Sequence, residues 1–195
     1  TGLLEWVAGR EAGFRWDGQV DTVRDQTIGA LAEDHGINAT DLNQISTRDL
    51  DRIITYVETL SVPARSYAAH DDVSVQLGNR LFMQTGCSSC HSITQKTRPD
   101  APLIFRDLVL RPYTDMKLHD VTGQPIRTPA LWGIGRNITL LEDNDRPLLF
   151  MHDGRASTLE EAILMHGGEA AGSRAAFESL SESQRQAIIE FLESL

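Results

Sequence analysis

Cysteine is almost absent from this sequence, since only two cysteines occur in 195 residues. That scarcity excludes the multi-disulfide framework of small secreted domains. Long apolar runs are missing too, so the sequence predicts no membrane span, and no signal peptide is recognisable. Basic residues are outnumbered, with 18 Lys and Arg against 28 Asp and Glu, and the formal net charge of −10 argues against nucleic acid and anionic membranes as partners.

The two cysteines lie together in one short motif. Residues 87–91 read CSSCH, so Cys87 and Cys90 are three positions apart and His91 follows directly. This spacing is typical of c-type haem attachment, in which each thiol forms a thioether and the adjacent imidazole binds the iron. A redox Cys-x-x-Cys pair gives no reason for the histidine, and structural zinc needs a second Cys or His pair. The motif predicts one covalent haem c with His91 as its proximal ligand.

An internal repeat is the second informative feature. Residues 16–30, WDGQVDTVRDQTIGA, align with residues 152–166, HDGRASTLEEAILMH. Residues 46–60 align in the same order with residues 181–195, at nearly the same offset. Carried back by that offset, a haem motif of the first repeat falls before this sequence begins.

The repeat predicts two units of unequal completeness. Residues 1–66 are the C-terminal part of a first cytochrome c-like unit, and residues 67–195 are a complete haem domain. Ala30 stands where the second unit has His166, and alanine cannot coordinate iron. A first haem would therefore have an open position for a small oxidant, while the second haem would be closed. Alternatively, Ala30 marks a decayed repeat, or His35 supplies a ligand.

Local patterns predict an all-α, cytochrome c-like fold. A short helix is expected before the haem motif, with residues 71–74 as its cap. Thr158 with Glu161 and Ser181 with Gln184 have the spacing of capping boxes, and each predicts a helix.

Residues 92–150 have little helical periodicity and contain six of the seven prolines. This pattern predicts a long loop. Such a loop is unusual in a plain domain, but it is expected around a haem, because the macrocycle supplies the core on which the loop packs.

His166 is the preferred candidate for the second axial ligand. It shares an apolar face with Leu159, Ala162 and Ile163 in the predicted helix over 158–167. A histidine there is a satisfied core residue, a cation at the helix C-terminal dipole or an iron ligand, and a haem that needs a distal partner favours the last. The alternatives are Met116, His119, Met151, His152 and, more weakly, Met165.

Longer motifs carry a resemblance to one family. They are GRxxxFxWDGQVDTxxDQ, GCSSCH, YTDMKLHD, RTPALWGIG, MHDGRASTLEEAILMHGGEA and FESLSESQRQAIIEFLESL. In combination, and over nearly the whole chain, they resemble the C-terminal part of the di-haem thiol oxidoreductases, relatives of the bacterial di-haem cytochrome c peroxidases.

The resemblance implies roles for individual residues. His166 matches the axial methionine of the electron-transfer haem in the peroxidases, which implies a low-potential haem with two histidine ligands here. Trp16 resembles the tryptophan that lies between the two haems. Gln26 and Asp34 resemble the polar pair over the peroxidatic haem, so Trp16, Gln26 and Asp34 are the predicted catalytic residues. His35 stands where the family commonly has a methionine.

The segment RTPALW is expected at the haem edge. In the family this segment packs near a propionate and, in the peroxidases, beside an interdomain calcium. Arg127 and Pro129 are therefore predicted cofactor-binding residues, and calcium is a further predicted cofactor. Pairing of Arg127 with a surface carboxylate is the alternative.

These features predict a haem c oxidoreductase of the di-haem peroxidase type. This chain would carry the electron-transfer haem, with a second haem upstream. The expected partners are a small oxidant such as peroxide and an electron-donor protein such as a small cytochrome or cupredoxin. Because haem c is normally attached outside the cytoplasmic membrane, a periplasmic location is expected, and the start at Thr1 without methionine suggests a processed or truncated chain. The alternative is a mono-haem electron carrier without catalysis of its own.

Overall fold

The computed structural model describes residues 2–62, 64–65 and 71–195. Helices dominate these ranges. The α-helices are α1 (Val23–His35), α2 (Thr47–Thr59), α3 (Val73–Gln84), α4 (Ile134–Glu142), α5 (Leu159–Leu164), α6 (Ala171–Glu178) and α7 (Glu182–Glu193). The strands are β1 (Gln95–Lys96), β2 (Val109–Leu110), β3 (Leu118–Asp120) and β4 (Pro125–Arg127). Short 3-10 turns cover Gly2–Trp6, Cys87–Ser89, Leu103–Phe105 and Gly168–Ala170. Within the described ranges, no helix has the length and apolar character needed to cross a bilayer.

The strands form two small antiparallel sheets. Strand β1 pairs with β2, with Gln95 opposite Leu110, and β3 pairs with β4, with His119 opposite Ile126. The all-α prediction is therefore confirmed only in part, and the prediction of one continuous loop over residues 92–150 is wrong. Strands of two or three residues show too little alternation to be recognised in a sequence. Helix α4, also in this segment, was missed because its sequence IGRNITLLE is rich in β-branched residues.

Helices α3 and α7 form the centre of the main core. The rings of Phe82 and Phe191 have centroids 5.3 Å apart, and Tyr113 packs edge-on against Phe191 at 5.9 Å. Gly78 faces α7 so closely that a Cβ there would overlap the carbonyl oxygen of Ala187. Glycine at this position lets the two backbones approach each other.

Two of the predicted helix starts are confirmed. The Asp72 carboxylate accepts hydrogen bonds from Ser74 N and Val75 N at the start of α3. Ser181 and Gln184 form the reciprocal capping box of α7. Both helices therefore begin where a local side-chain pattern satisfies the first free backbone N–H groups.

Helix α5 differs from its prediction at both ends. Thr158 Oγ1 accepts from Glu161 N, but the Glu161 carboxylate bonds to Ser157 and does not complete the box. The helix ends at Leu164, so His166 lies just beyond it and not in its last turn. The two glycines that follow His166 favour an early end of the helix.

The aligned repeats have the same local structure. Each begins with a tight loop closed by an isolated antiparallel bridge and is followed by a helix with a threonine N-cap. The matching features are the bridges Phe14–Val20 and Phe150–Ala156, the left-handed residues Arg15 (φ 65°) and Met151 (φ 67°), and the caps Thr22 and Thr158.

The predicted unit boundary between residues 66 and 67 lies outside the described residues, so the division of the chain into two units stays a prediction. Backbone contacts nevertheless join residues 2–16 to the segment after the CSSCH motif. Val7 forms a bridge with Thr97, Arg98 N donates to Trp6 O at 2.8 Å, and Arg127 N donates to Trp16 O at 2.7 Å.

The close crossing of α3 and α7 gives a direct test of this packing. We expect Gly78→Ala to lower the free energy of unfolding by about 1–3 kcal/mol, because the added methyl group must displace the Ala187 backbone. In α6, a Cβ on Gly172 would meet nothing within 4 Å. Gly172→Ala is therefore the matched control, and it should raise stability by about 0.5–1 kcal/mol. Chemical denaturation of the haem-loaded protein measures both changes, and equal effects would contradict the proposed crossing geometry.

Candidate functional site

The CSSCH motif follows α3 directly. Gly86 adopts a left-handed conformation with φ 83°, which ends the helix and starts the 3-10 turn Cys87–Ser89. His91 N then donates to Cys87 O at 3.0 Å. The two thiols and the imidazole are thereby held on one compact turn, as attachment of a single cofactor requires.

Both cysteines are free thiols of intermediate exposure. Burial raises the pKa of the Cys87 thiol, and Cys87 packs against the main core. Burial, reinforced by the negative charge of Asp115, also raises the pKa of Cys90. Because the thiolate form is disfavoured at both positions, the raised pKa values argue against a reactive redox pair.

His91 has one ring nitrogen occupied and one available. Its Nδ1–H donates to the carbonyl oxygen of Tyr113 at 2.9 Å. Desolvation of the ring lowers the pKa of His91 to about 4, so the imidazole is neutral at ordinary pH. This tautomer leaves the Nε2 lone pair free, which is the arrangement of a metal-binding histidine oriented by a backbone acceptor.

His166 has the same ring arrangement. Its Nδ1 lies 2.7 Å from Ala162 O, so Nδ1–H donates and Nε2 keeps its lone pair. Charge on His166 is a smaller cause of the lowered pKa of His91, after desolvation. Two imidazoles that each donate Nδ1–H to a backbone carbonyl and present Nε2 are a donor set that fits haem iron.

Three of the alternative ligands are buried with other partners or exposed to solvent. Met116 is fully buried, and its sulfur accepts a hydrogen bond from Arg127 Nη1 at 3.4 Å. His119 has a carboxylate oxygen beside each ring nitrogen. Met165, the residue directly after α5, keeps 38% of its surface accessible. These contacts favour His166 over Met116, His119 and Met165.

Trp16 lies at a contact between the two repeated segments. Its ring centroid is 5.3 Å from that of His152, the residue that aligns with it in the second repeat. The Nδ1 atom of His152 is buried and has no hydrogen-bond partner in the described part of the chain, while its Nε2 lies 3.2 Å from the amide of Gln124. Trp16 itself is 47% exposed.

Gln26 and Asp34 both lie on α1, but Arg15 bonds to Gln26 and to Glu33, and not to Asp34. Arg15 Nε donates to Gln26 Oε1 at 3.1 Å, and Arg15 Nη2 pairs with Glu33 at 3.0 Å. Asp34 is exposed, one residue further on. Sequence reasoning missed Arg15 and Glu33, although Gln26 and Glu33 are seven positions apart and so share one face of a helix.

Arg127 is half-buried and donates to backbone and sulfur. Its Nε donates to Arg15 O at 3.0 Å, in addition to the contact with the Met116 sulfur. Burial lowers its pKa. Pro129, two residues on, is exposed, and the Thr128 carbonyl oxygen accepts from the Thr114 hydroxyl at 2.7 Å. The haem-edge and calcium assignments of this segment stay predictions.

A carboxylate–histidine bridge, Asp115–His119–Glu169, lies beside the attachment turn. His119 Nε2 is 2.8 Å from Asp115 Oδ2, and its Nδ1 is 3.0 Å from Glu169 Oε2. Burial disfavours the charged ring, but the hydrogen bonds to Glu169 and Asp115 outweigh it and raise the pKa of His119. Sequence reasoning missed Asp115 and Glu169.

Donor atoms of Cys90, Asp115 and His119 also lie within 4.8 Å of one another, a grouping that could hold a metal ion. The Cys90 sulfur is the predicted thioether position, however. We therefore assign these three residues to the surroundings of the cofactor and not to a separate metal site.

Comparison with known proteins gives one family and one fold. The family model described as "Di-haem oxidoreductase, putative peroxidase" matches residues 34–195. No curated protein sequence matches the chain. Among solved structures, the chain is similar to a chain of hydrazine synthase from Kuenenia stuttgartiensis, studied under 20 bar xenon, with a TM-score of 0.53 and 19% identity.

That similarity covers 88% of this chain and 61% of the hydrazine synthase chain. This sequence therefore spans about three fifths of the length of the solved chain. At 19% identity the likeness shows a shared fold and carries no information on substrate.

Proposed function

The chain belongs to the di-haem oxidoreductase family, and we propose that it is the electron-transfer part of a peroxidase-like enzyme. In this proposal Cys87 and Cys90 attach one haem c, His91 and His166 are the axial ligands, and the second haem of the family lies outside this sequence. The observation that carries the proposal is the hydrogen bond from His91 Nδ1 to Tyr113 O, at 2.9 Å, which leaves Nε2 able to bind a metal on the same turn as the two thiols.

A bound haem supplies one-electron chemistry, and the residues of the chain control its orientation and access. The Tyr113 carbonyl oxygen accepts a hydrogen bond from Nδ1–H and so holds His91 in one tautomer and increases its basicity as a ligand. The Ala162 carbonyl does the same for His166. With both imidazoles bound to the iron, no coordination position would remain for peroxide, which would suit electron transfer.

Substrate chemistry is assigned to the first unit. Ala30, aligned with His166, offers no ligand atom, so a haem there would keep one face open. Trp16 contacts His152 across the repeats and is the proposed route for electrons between the two haems. Gln26, held by Arg15 together with Glu33, is a polar group that would orient a small oxidant, and Asp34 is a second candidate for this role.

The remaining partners follow from charge and chemistry. We propose a small oxidant such as peroxide as substrate and a small cytochrome or cupredoxin as electron donor. A net charge of −10 favours a donor with a basic docking surface. Covalent haem attachment supports a periplasmic location. We also propose calcium near Arg127 and Pro129, because the family resemblance implies it.

Covalent attachment is tested by mass. The intact chain, expressed in a host competent for haem c maturation, should exceed the polypeptide mass by one haem after acid denaturation. Cys87→Ala and Cys90→Ala should each leave a single thioether, and the double variant none. A wild-type mass equal to the bare polypeptide would overturn the haem assignment.

Distal ligation is tested by His166→Ala. The wild-type ferric protein should be low-spin, without the near-infrared band of methionine-to-iron coordination. Removing one imidazole should open the iron, so the variant should bind carbon monoxide when reduced and cyanide when oxidised. Met165→Ala, a change at the adjacent exposed residue, is the control and should behave as wild type. If His166→Ala remains six-coordinate with unchanged spectra, another ligand must be assigned.

The division of labour is tested by peroxide turnover. With a reduced small cytochrome as donor, the 195-residue chain should exchange electrons but reduce hydrogen peroxide poorly, whereas a longer protein that includes an upstream haem motif should be active. Full activity in the short chain would contradict the proposal, and inactivity of both forms would favour a mono-haem electron carrier.

In the longer protein, Trp16→Phe should slow electron transfer between the haems while leaving both haem spectra unchanged. Trp6→Phe, which alters a tryptophan stacked under Arg98, is the matched control. Equal rates in both variants would remove Trp16 from the route.

A further inference from the structure

The carboxylate–histidine bridge contains a ring with no free nitrogen. Both nitrogens of His119 face carboxylate oxygens, at 2.8 Å and 3.0 Å, so each can donate only if the ring is an imidazolium. The side chains of His119 and Asp115 are 18% and 11% exposed. The Glu169 side chain is 58% exposed, so the contact of His119 with Asp115 is the stronger half of the bridge, and the contact with Glu169 is more screened by solvent.

One end of the bridge is fixed to the haem attachment turn. Asp115 N donates to Cys90 O at 2.8 Å, and the neighbouring Thr114 N donates to Ser92 O at 3.0 Å. Asp115 Oδ1 also accepts from Lys117 N at 3.0 Å. The carboxylate that holds His119 is therefore part of the same rigid loop as the proximal side of the proposed haem.

The other end of the bridge is fixed to the segment after His166. Glu169 uses both carboxylate oxygens, because Oε2 faces His119 and Oε1 accepts from Asp120 N at 2.8 Å. Gly167 N donates to Val121 O at 2.8 Å. Strand β3 and the residue after it thus hold the backbone that follows His166 at two points.

His166 needs such a support because its own helix does not extend to it. Helix α5 ends at Leu164, and two glycines follow His166. Gly168 has φ 48° and lies so close to Asp120 that a Cβ would overlap the Asp120 carbonyl oxygen. The hydrogen bond of His166 to Ala162 O fixes the rotation of the ring, while the position of the following backbone depends on β3.

We propose that His119 and Glu169 are positioning residues that hold His166 on the iron. The bridge ties the distal-ligand segment to the attachment turn of the same haem, so both axial ligands belong to one hydrogen-bonded unit. Loss of the bridge leaves the hydrogen bond from Gly167 N to Val121 O as the remaining tie, loosens the backbone after it and lets His166 leave the iron. This inference rests on the proposed function, specifically on His166 as the distal ligand.

The test uses the haem-loaded chain and measures carbon monoxide binding to the ferrous protein together with the ferric spin state. Glu169→Ala should raise the carbon monoxide association rate about 10- to 100-fold and add a high-spin fraction, in line with the usual effect of removing a partner of a metal ligand. His119→Ala should do the same. Glu178→Ala removes a carboxylate of similar exposure at the end of α6 and should leave both measurements unchanged.

A double variant and a conservative variant separate positioning from general destabilisation. If the two residues act through one bridge, His119→Ala combined with Glu169→Ala should have no larger effect than either change alone. Glu169→Gln keeps an oxygen that can accept from Asp120 N, but it removes the negative charge that faces His119. The carbon monoxide association rate of this variant should therefore lie between those of wild type and Glu169→Ala. Additive effects of the two alanine changes, or a Gln variant equal to the Ala variant, would overturn the bridge as the positioning device.

Two outcomes separate the positioning role of the bridge from the ligand role of His166. If His166→Ala opens the iron while His119→Ala and Glu169→Ala bind carbon monoxide as slowly as wild type, the bridge has no positioning role and the proposed function stands. If His166→Ala leaves the iron closed, both are overturned.

Discussion

His91 Nδ1–H donates a hydrogen bond to the Tyr113 carbonyl oxygen at 2.9 Å, and the rest of the candidate site depends on this contact. It assigns the proton to Nδ1 and the lone pair to Nε2. Tyr113 is in turn fixed by edge contacts with Phe82 and Phe191 from α3 and α7. The orientation of His91, which lies on a turn, is therefore set by the packing of the main core, where α3 and α7 cross at Gly78.

Features encoded by neighbouring residues could be predicted from the sequence. The Asp72 cap of α3, the Ser181 box of α7 and the CSSCH turn each depend on side chains within a few positions of one another. The repeat was also visible, and the two left-handed residues Arg15 and Met151 show that it extends to backbone conformation. Residues 92–150 were misread because their order comes from short strand pairs and from α4, for which local signals are weak.

The polar partners of the site could not be predicted, because they are brought together by tertiary structure. Glu169 reaches His119 across fifty positions of sequence, and Arg127 reaches the Arg15 carbonyl across more than a hundred. Nothing in the local sequence distinguishes such a glutamate or arginine from a solvated one. The contacts of Arg15 with Gln26 and Glu33 have the same origin, since they form only once α1 is packed beside Arg15.

The contact of Trp16 with His152 has a geometric consequence. These residues occupy the same position in the two repeats, and their ring centroids are 5.3 Å apart. The two repeated segments therefore meet at this point through equivalent residues. Two like bodies that touch through the same patch form an isologous pair, as the subunits of a symmetric dimer do. At this one contact the chain has the self-complementary arrangement of an isologous interface, with tryptophan on one side and histidine on the other.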